Sequence, residues 1–400
     1  MLFRPEDFEP LTEEPWDADR IRAGIREIVD DTDVALRGPK LLWRADDWDR
    51  WQATSPLKDL YCGAAGVLWA LDDLRRRGHA ETRLELEGLS LATLERQRVR
   101  PDFGASFSAH FPLPAERDSA LLTGLAGILL VAFRIAPRRA LADELQRLVR
   151  ANVANETDEL MWGSPGTLVA AQLMFHWTGE EGWREAWDES ADALLERRDS
   201  DGLWTQHLYG YTDRILGPAH GFVGNVLALG QRLDARRRAS LHRRANEVLA
   251  RTAVVERGLA NWPPVADEAL ANKRGEIRVQ WCHGAPGIVI SAADHLDEEL
   301  LLAGAKLTWH VGPHGDERGS SICHGTAGNG YAFLKAFGRT GDEIWLERAR
   351  RFAVHALAQM RQERSARGRG RYSLFTGDLG VALYLANCLD ARDAYPVLDA

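Results

Sequence analysis

Apolar positions along this chain alternate between two registers. The segments 21–34, 84–97, 140–151, 182–195, 240–255, 298–307 and 342–360 place apolar residues at i, i+3, i+4 and i+7 with charges between them, so each predicts an amphipathic helix with one buried stripe. Between them lie runs that are apolar almost all round. Each opens with Gly-X-X-Gly, and there are seven: Gly63–Gly66, Gly124–Gly127, Gly163–Gly166, Gly221–Gly224, Gly284–Gly287, Gly325–Gly328 and Gly377–Gly380. A helix that is apolar on every side must be covered on every side. The repeat therefore predicts seven hairpins, each an amphipathic outer helix, a loop and a glycine-initiated inner helix, arranged as an all-α double-layered α/α toroid. The expected organisation is one domain over residues 1–400, irregular over 1–15, with little strand signal anywhere.

Glycine near a helix start permits a sharp turn and close backbone approach, at a cost of up to about 1 kcal/mol in helix propensity. Inner helices converge at their ends, where small residues are needed. The connections ahead of the glycine motifs, at 100–122, 201–219, 256–281, 310–322 and 362–375, are long for a helical bundle, and such loops usually carry function. Parallel inner helices would gather them at the end of the ring that bears the glycine turns.

Aligned on the first glycine, the preceding position reads Cys62, Thr123, Trp162, His220, His283, His324 and Thr376. The position before that reads Tyr61, Leu122, Met161, Ala219, Cys282, Cys323 and Phe375. Adjacent repeats thus bring cysteines and histidines to one end of the ring. A lone Cys–His pair beside glycine is ordinarily a packing feature, but two in register point to a metal. Cys282, Cys323 and His324 form a three-ligand set without the Cys-X-X-Cys knuckle of closed structural sites, which leaves a fourth position for an exchangeable group. Thiolate-rich ligation selects zinc over hard cations, and an open zinc would take a soft thiol and hold it as a nucleophile.

His220 is the candidate general acid/base because imidazole exchanges protons near neutrality. His283 follows a ligand and is expected to line the site, and Arg278, four residues before Cys282, is a candidate for stabilising an anionic intermediate. His110 and His207 lie in the long loops and are weaker candidates. Cys62 and Cys388 are expected in or near the core.

Composition narrows the partners. The chain is 45% hydrophobic and 27% charged with a net charge of −9, and its arginines and acids are interspersed, so it offers no basic stripe for nucleic acid or anionic lipid. The longest nearly apolar run, 121–133, falls short of the ~20 residues that cross a bilayer, so no stable membrane insertion is expected. The start of the chain has early acids and no apolar secretory core. A cytoplasmic location is expected, where four scattered cysteines remain thiols.

The seven glycine helices, Trp281-Cys282-His283-Gly284-Ala285-Pro286-Gly287, Cys323-His324-Gly325 and His220-Gly221 together resemble the lanthionine synthetase C-like proteins over essentially the whole chain. The resemblance implies an α/α toroid with zinc (Zn2+) held by Cys282, Cys323 and His324. In the lantibiotic cyclases of that family, the metal activates a peptide cysteine thiol, which adds to dehydroalanine or dehydrobutyrine and closes a thioether ring. It further implies that the residues matching His220 and Arg278 protonate and stabilise the resulting enolate. Two positions depart from the cyclases. His283 stands where bacterial cyclases commonly have tyrosine, a form similar to eukaryotic LanC-like proteins that add glutathione to dehydroamino acids in proteins. The cyclases' catalytic aspartate has no clear match, although Asp118 is in its neighbourhood.

The expected function is zinc-dependent addition of a thiol, either a peptide cysteine or a small molecule such as glutathione, to a dehydrated peptide or protein. No dehydratase region is recognisable, so a separate dehydratase is the expected source of that substrate. A non-catalytic zinc-containing scaffold that binds peptides or thiols is the alternative, and it predicts bound metal without turnover. A glycosidase or terpene-cyclase relative needs sets of carboxylates, and the motif positions supply only Asp378.

Overall fold

The computed structural model describes residues 2–36, 42–47, 49, 56–103, 112–230, 232–267, 277–315 and 317–399. Among these residues the seven outer helices are α1 (Ala18–Ala35), α3 (Leu86–Val99), α5 (Arg139–Ala151), α7 (Glu181–Glu196), α9 (Ala235–Thr252), α11 (Glu298–Val311) and α13 (Glu343–Arg367). Seven inner helices are α2 (Ala64–Arg76), α4 (Leu125–Ile135), α6 (Ser164–Thr178), α8 (Phe222–Gly230), α10 (Ala285–Ser291), α12 (Thr326–Thr340) and α14 (Asp378–Asp390). Each inner helix touches the next, and α14 returns to α2, so the inner ring closes. The all-α toroid expected from the alternating registers is the observed fold.

Three details differ from the sequence reading. The tight hairpins run from inner to outer helix, as in α6 to α7 through the left-handed Gly179 (φ +67) and α12 to α13 through Gly341 (φ +69). As a result α1 docks on α14, the last inner helix, and the long loops join each outer helix to the following inner one. Helix α13 runs past its expected end to Arg367, because Arg361 and Arg364 reach Glu27 of α1 at 2.8 and 3.1 Å and hold that extra turn. Among the described residues the loops also contain two short hairpins, β1 (Gln206–Leu208) with β2 (Tyr211–Asp213) and β3 (Val254–Glu256) with β4 (Leu259–Asn261). Their turns place Tyr209 (φ 55) and Gly210 (φ 78), and Arg257 (φ 53) and Gly258 (φ 78), in the left-handed region that two-residue hairpins use.

The second glycine of every motif meets its own chain rather than a neighbouring helix. A Cβ on Gly66, Gly127, Gly166, Gly224, Gly287, Gly328 or Gly380 would lie 1.8–2.4 Å from the carbonyl oxygen six residues earlier. The turn is thus folded flat against the first turn of its helix, and only a bare α-carbon allows that approach. A belt of hydrogen bonds then links the turns of the sixth, seventh, first, second and third repeats. Cys323 N donates to Phe375 O (2.8 Å), Phe375 N to Tyr61 O (3.1 Å) and Tyr61 N to Leu122 O (2.9 Å), and the Thr123 hydroxyl continues to Met161 O (3.1 Å). Every residue in that series occupies the aligned position two before the first glycine, except Thr123, which is one before.

Alanine at Gly287 would place its Cβ 1.8 Å from Trp281 O, and its substitution is expected to cost about 3 kcal/mol or more. Alanine at Gly78, left-handed at φ +72 but with nothing within 4 Å, is expected to cost only about 1–2 kcal/mol. Thermal unfolding of the two variants measures the difference.

Candidate metal centre

Cys282, Cys323 and His324 meet at one point above the inner helices, Cys323 being held by the belt. Cys282 sits in a tight loop closed by Gln280 N to His283 O (3.0 Å) and His283 N to Gln280 O (3.2 Å). Gly284 leaves that loop at φ +100, a conformation open to glycine. The Sγ atoms of Cys282 and Cys323 and a ring nitrogen of His324 lie within 4.8 Å of one another, with both cysteines buried. Cys323 Sγ is 3.7 Å from His324 Nε2. Each sulfur also receives a hydrogen bond, Cys282 from Gln280 Nε2 and Cys323 from the Tyr61 hydroxyl, both at 2.8 Å.

The two thiols respond oppositely to this setting. Burial opposes ionisation of Cys282, but hydrogen bonding to Cys323 and the nearby His324 and His283 imidazoles hold its thiol well below the usual range. Cys323 is pushed up by burial and by Cys282 beside it. Burial likewise pushes the Tyr61 phenol well up, with Cys323 adding to it. The centre therefore favours one thiolate without a cation and has room for charge on both only when a cation is supplied. As a donor set it fits a soft divalent ion: the 3.7 Å separation of Cys323 and His324 is close to the edge of about 3.6 Å implied by Zn–S and Zn–N bonds of about 2.3 and 2.1 Å.

His220, from the neighbouring repeat, places Nδ1 2.8 Å from Glu159 Oε2, which is fully buried. Glu159 also accepts from the backbone N–H groups of Met161, Trp162 and Gly163 at 2.9, 2.5 and 3.1 Å, so its position is fixed by its own turn. With Nδ1 committed to a carboxylate, Nε2 is the nitrogen left to exchange a proton with a bound molecule. Tyr209, at the β1–β2 tip, meets the His220 ring edge to face at 6.0 Å, and its hydroxyl accepts from Trp162 Nε1 at 2.8 Å.

His283 is held neutral. Burial lowers its pKa to about 4, the Cys282 thiolate pulls the other way, and Arg278, His220 and His324 lower it further. Its Nδ1 is a buried ring atom with no hydrogen-bond partner among the described residues. Arg278 is an exposed side chain at the rim whose charge reaches His283. Asp118 is exposed on a 3-10 turn (Arg117–Ser119) before α4. His207 is exposed on β1 with Nδ1 3.2 Å from Thr212 Oγ1, outside the thiol cluster, and His110 lies outside the described residues. Cys62 is buried beside the cluster and Cys388 is buried in α14.

The sequence profile of the lanthionine synthetase C-like protein family matches residues 49–399. The chain belongs to that family. This LanC-like chain is 31% identical over 134 residues to glutathione S-transferase LANCL1 of Danio rerio, a match covering 31% of the chain and 32% of that relative. It is also 31% identical over 116 residues to LanC-like protein GCL1 of Arabidopsis thaliana, covering 26% of the chain and 25% of the relative. These matches span a third or less of the curated relatives. Among solved structures, nisin cyclase superimposes with a TM-score of 0.59 over 92% of the chain and 94% of its own, at 15% identity, which is a likeness of fold.

Glu159, Gln280 and Tyr209 of this LanC-like site fall outside the two aligned positions, and Tyr61 stands in one of them with no chemistry that marks it as a partner of Cys323. Glu159 and Gln280 have a common signal two steps further out. Four residues before the first glycine the chain reads Asp59, Ala120, Glu159, Gly217, Gln280, Ser321 and Ser373. The polar members of this series bond within their own turns: Asp59 accepts from Cys62 N and Gly63 N, Ser321 from His324 N, and Ser373 pairs with Thr376. In two repeats that turn-closing side chain has been turned to the site.

Glu159→Ala removes the acceptor from three backbone N–H groups and from His220, and is expected to lower stability by about 2–4 kcal/mol. Glu159→Gln, which keeps an acceptor oxygen, is expected to lose less than half as much, both read from thermal unfolding midpoints.

Proposed function

We propose that this chain adds a thiol to dehydroalanine or dehydrobutyrine in a peptide or protein, with zinc held by Cys282, Cys323 and His324. The observation that carries this reading is the meeting of three soft or borderline ligand atoms within 4.8 Å, one repeat away from a histidine oriented by a buried carboxylate. Such a donor set leaves one tetrahedral position open. When bound, zinc lowers the pKa of a thiol it coordinates, so that the thiol reacts as thiolate at neutral pH.

The protein's own groups take the remaining steps. The sulfur forms a bond to the β-carbon while the alkene electrons move toward the amide carbonyl, giving an enolate. His220 Nε2 then delivers a proton to the α-carbon, and Glu159 stabilises the imidazolium that precedes transfer. Arg278 at the rim offers positive charge to the enolate oxygen or to a carboxylate of the thiol substrate. Neutral His283, with an unpartnered Nδ1, offers a hydrogen bond to a substrate held beside Cys282.

The name of the zebrafish relative, a glutathione S-transferase, together with His283 beside the first ligand, favours a small thiol over an internal cysteine. A cytoplasmic setting and a separate dehydratase that prepares the acceptor belong to the same proposal. Among the described residues no helix is long and apolar enough to cross a membrane.

Incubating the protein with a dehydroalanine peptide and glutathione should give the thioether by mass spectrometry. Cys323→Ala is expected to lose both stoichiometric zinc and the catalysed rate, and His220→Asn to keep zinc while the rate falls by about 10²–10⁴. Equal rates for wild type and Cys323→Ala would overturn the metal role, and zinc without turnover in the wild type would leave a peptide- or thiol-binding scaffold.

A further inference from the structure

The segment after α14 turns inward. Tyr395, Val397 and Leu398 are 1%, 2% and 0% exposed. Ala394 and Asp399 form a shared wall between two cavities of about 700 and 570 Å³. Those cavities are lined by the last turns of inner helices, including Thr178 of α6, Gly230 of α8 and Ser291 of α10, so the segment closes the mouth of the ring opposite the glycine turns. It is anchored there. Asp399 pairs with the mostly buried Lys335 of α12 at 2.7 Å and accepts from Tyr395 N at 2.8 Å, while Asp399 N donates to Tyr395 O at 3.2 Å. Val397 adopts φ +70, which a β-branched residue keeps only when its surroundings impose it.

What this anchor holds up is one ring. Tyr395 stacks on Trp281 with centroids 5.1 Å apart and planes at 13°, and meets Tyr331 edge to face at 4.9 Å. Its hydroxyl donates to Ile322 O at 2.8 Å. Trp281 precedes Cys282, and Ile322 precedes Cys323. Tyr395 also lies 6.2 Å from Phe375, which stacks on Tyr61 at 5.0 Å, and Tyr61 donates to Cys323 Sγ. One side chain from the far mouth of the toroid therefore touches the residue before each cysteine and the aromatic pair beneath one of them.

We infer that Tyr395 is a positioning residue for the metal-binding thiols, fixing the separation of the Cys282 and Cys323 loops from below. The inference rests on the reading of Cys282, Cys323 and His324 as metal ligands. It follows from rigidity: the two cysteines belong to different repeats, and a donor set loses affinity when its supporting contacts are loosened.

Tyr395→Phe keeps the stack and removes only the hydroxyl bonded to Ile322 O. Tyr384→Phe is the matched control, since its buried hydroxyl donates to Ala349 O at 2.6 Å in the wall between α13 and α14. Both variants are expected to melt within a few degrees of each other. Tyr395→Phe alone should release zinc to a competing chelator about tenfold faster and shift the thiolate-to-metal bands of the cobalt(II)-substituted protein. Equal zinc release from the two variants, or release from Tyr395→Phe at the wild-type rate, overturns the positioning role while leaving the metal reading standing. A wild type that retains neither zinc nor cobalt in stoichiometric amount overturns the metal reading itself, and the positioning role with it.

Discussion

Where a helix begins, four N–H groups lack partners, and a ring of seven inner helices gathers seven such ends at one face. The Gly-X-X-Gly turn answers this locally by folding the preceding backbone onto the first helical turn, so close that the second glycine sits against a carbonyl oxygen in every repeat. The same flattening leaves the residue two before the motif with its own N–H and C=O directed along the ring, and the belt from Cys323 through Phe375 and Tyr61 to Leu122 uses them. A buried backbone group left without a partner costs about 1–3 kcal/mol, so each link makes the next turn's position part of its own stability. The side chains at the turns the belt joins are therefore placed together.

That rigidity matters because the cluster is electrostatically awkward. Two thiols side by side in a buried setting cannot both ionise cheaply, and Cys282 and Cys323 accordingly move in opposite directions. The hydrogen bonds from Gln280 and Tyr61 each give a sulfur one donor, which favours negative charge but falls short of neutralising two. A closely held divalent cation would, and the fixed backbone means that little reorganisation would be needed to admit it. The dyad on the other side is assembled by the same device: Glu159 closes its own turn before it meets His220, so the carboxylate that orients the imidazole is itself held by three backbone donors.

The architecture was legible in the sequence because it repeats. Period, apolar register and glycine spacing each recur seven times, and α3, α5, α7 and α11 lie within a few residues of the expected segments. Cys282, Cys323 and His324 were legible for the same reason, since scarce residue types fell in register. Glu159 and Gln280 occupy an equally regular position, but carboxylate, amide, serine, alanine and glycine all occur there, so the column has no single chemistry to notice. The inner-to-outer sense of the hairpins and the extra turn of α13 depend on which long-range partner wins, Glu27 for Arg361 and Arg364 in the latter case, and local periodicity is blind to that. Tyr395 belongs to no repeat at all.

The site also draws on nearly the full circumference. Tyr61 comes from the first repeat, Glu159 from the third, His220 from the fourth, Cys282 from the fifth, Cys323 and His324 from the sixth and Phe375 from the seventh. The two thiols and the imidazole–carboxylate pair lie between residues 159 and 323, while Tyr61 and Phe375 reach the cluster from the first and last repeats. Contacts of such wide sequence separation form only when the ring closes, because each requires the closure of long loops. Opening at the junction of α14 with α12 or with α2 would thus break the Tyr61–Cys323 contact as well as the fold. Any ion held by the closed ring and absent from the open one must, by linkage, stabilise closure in proportion to its affinity, so that metal retention and integrity of the toroid are two readings of one equilibrium.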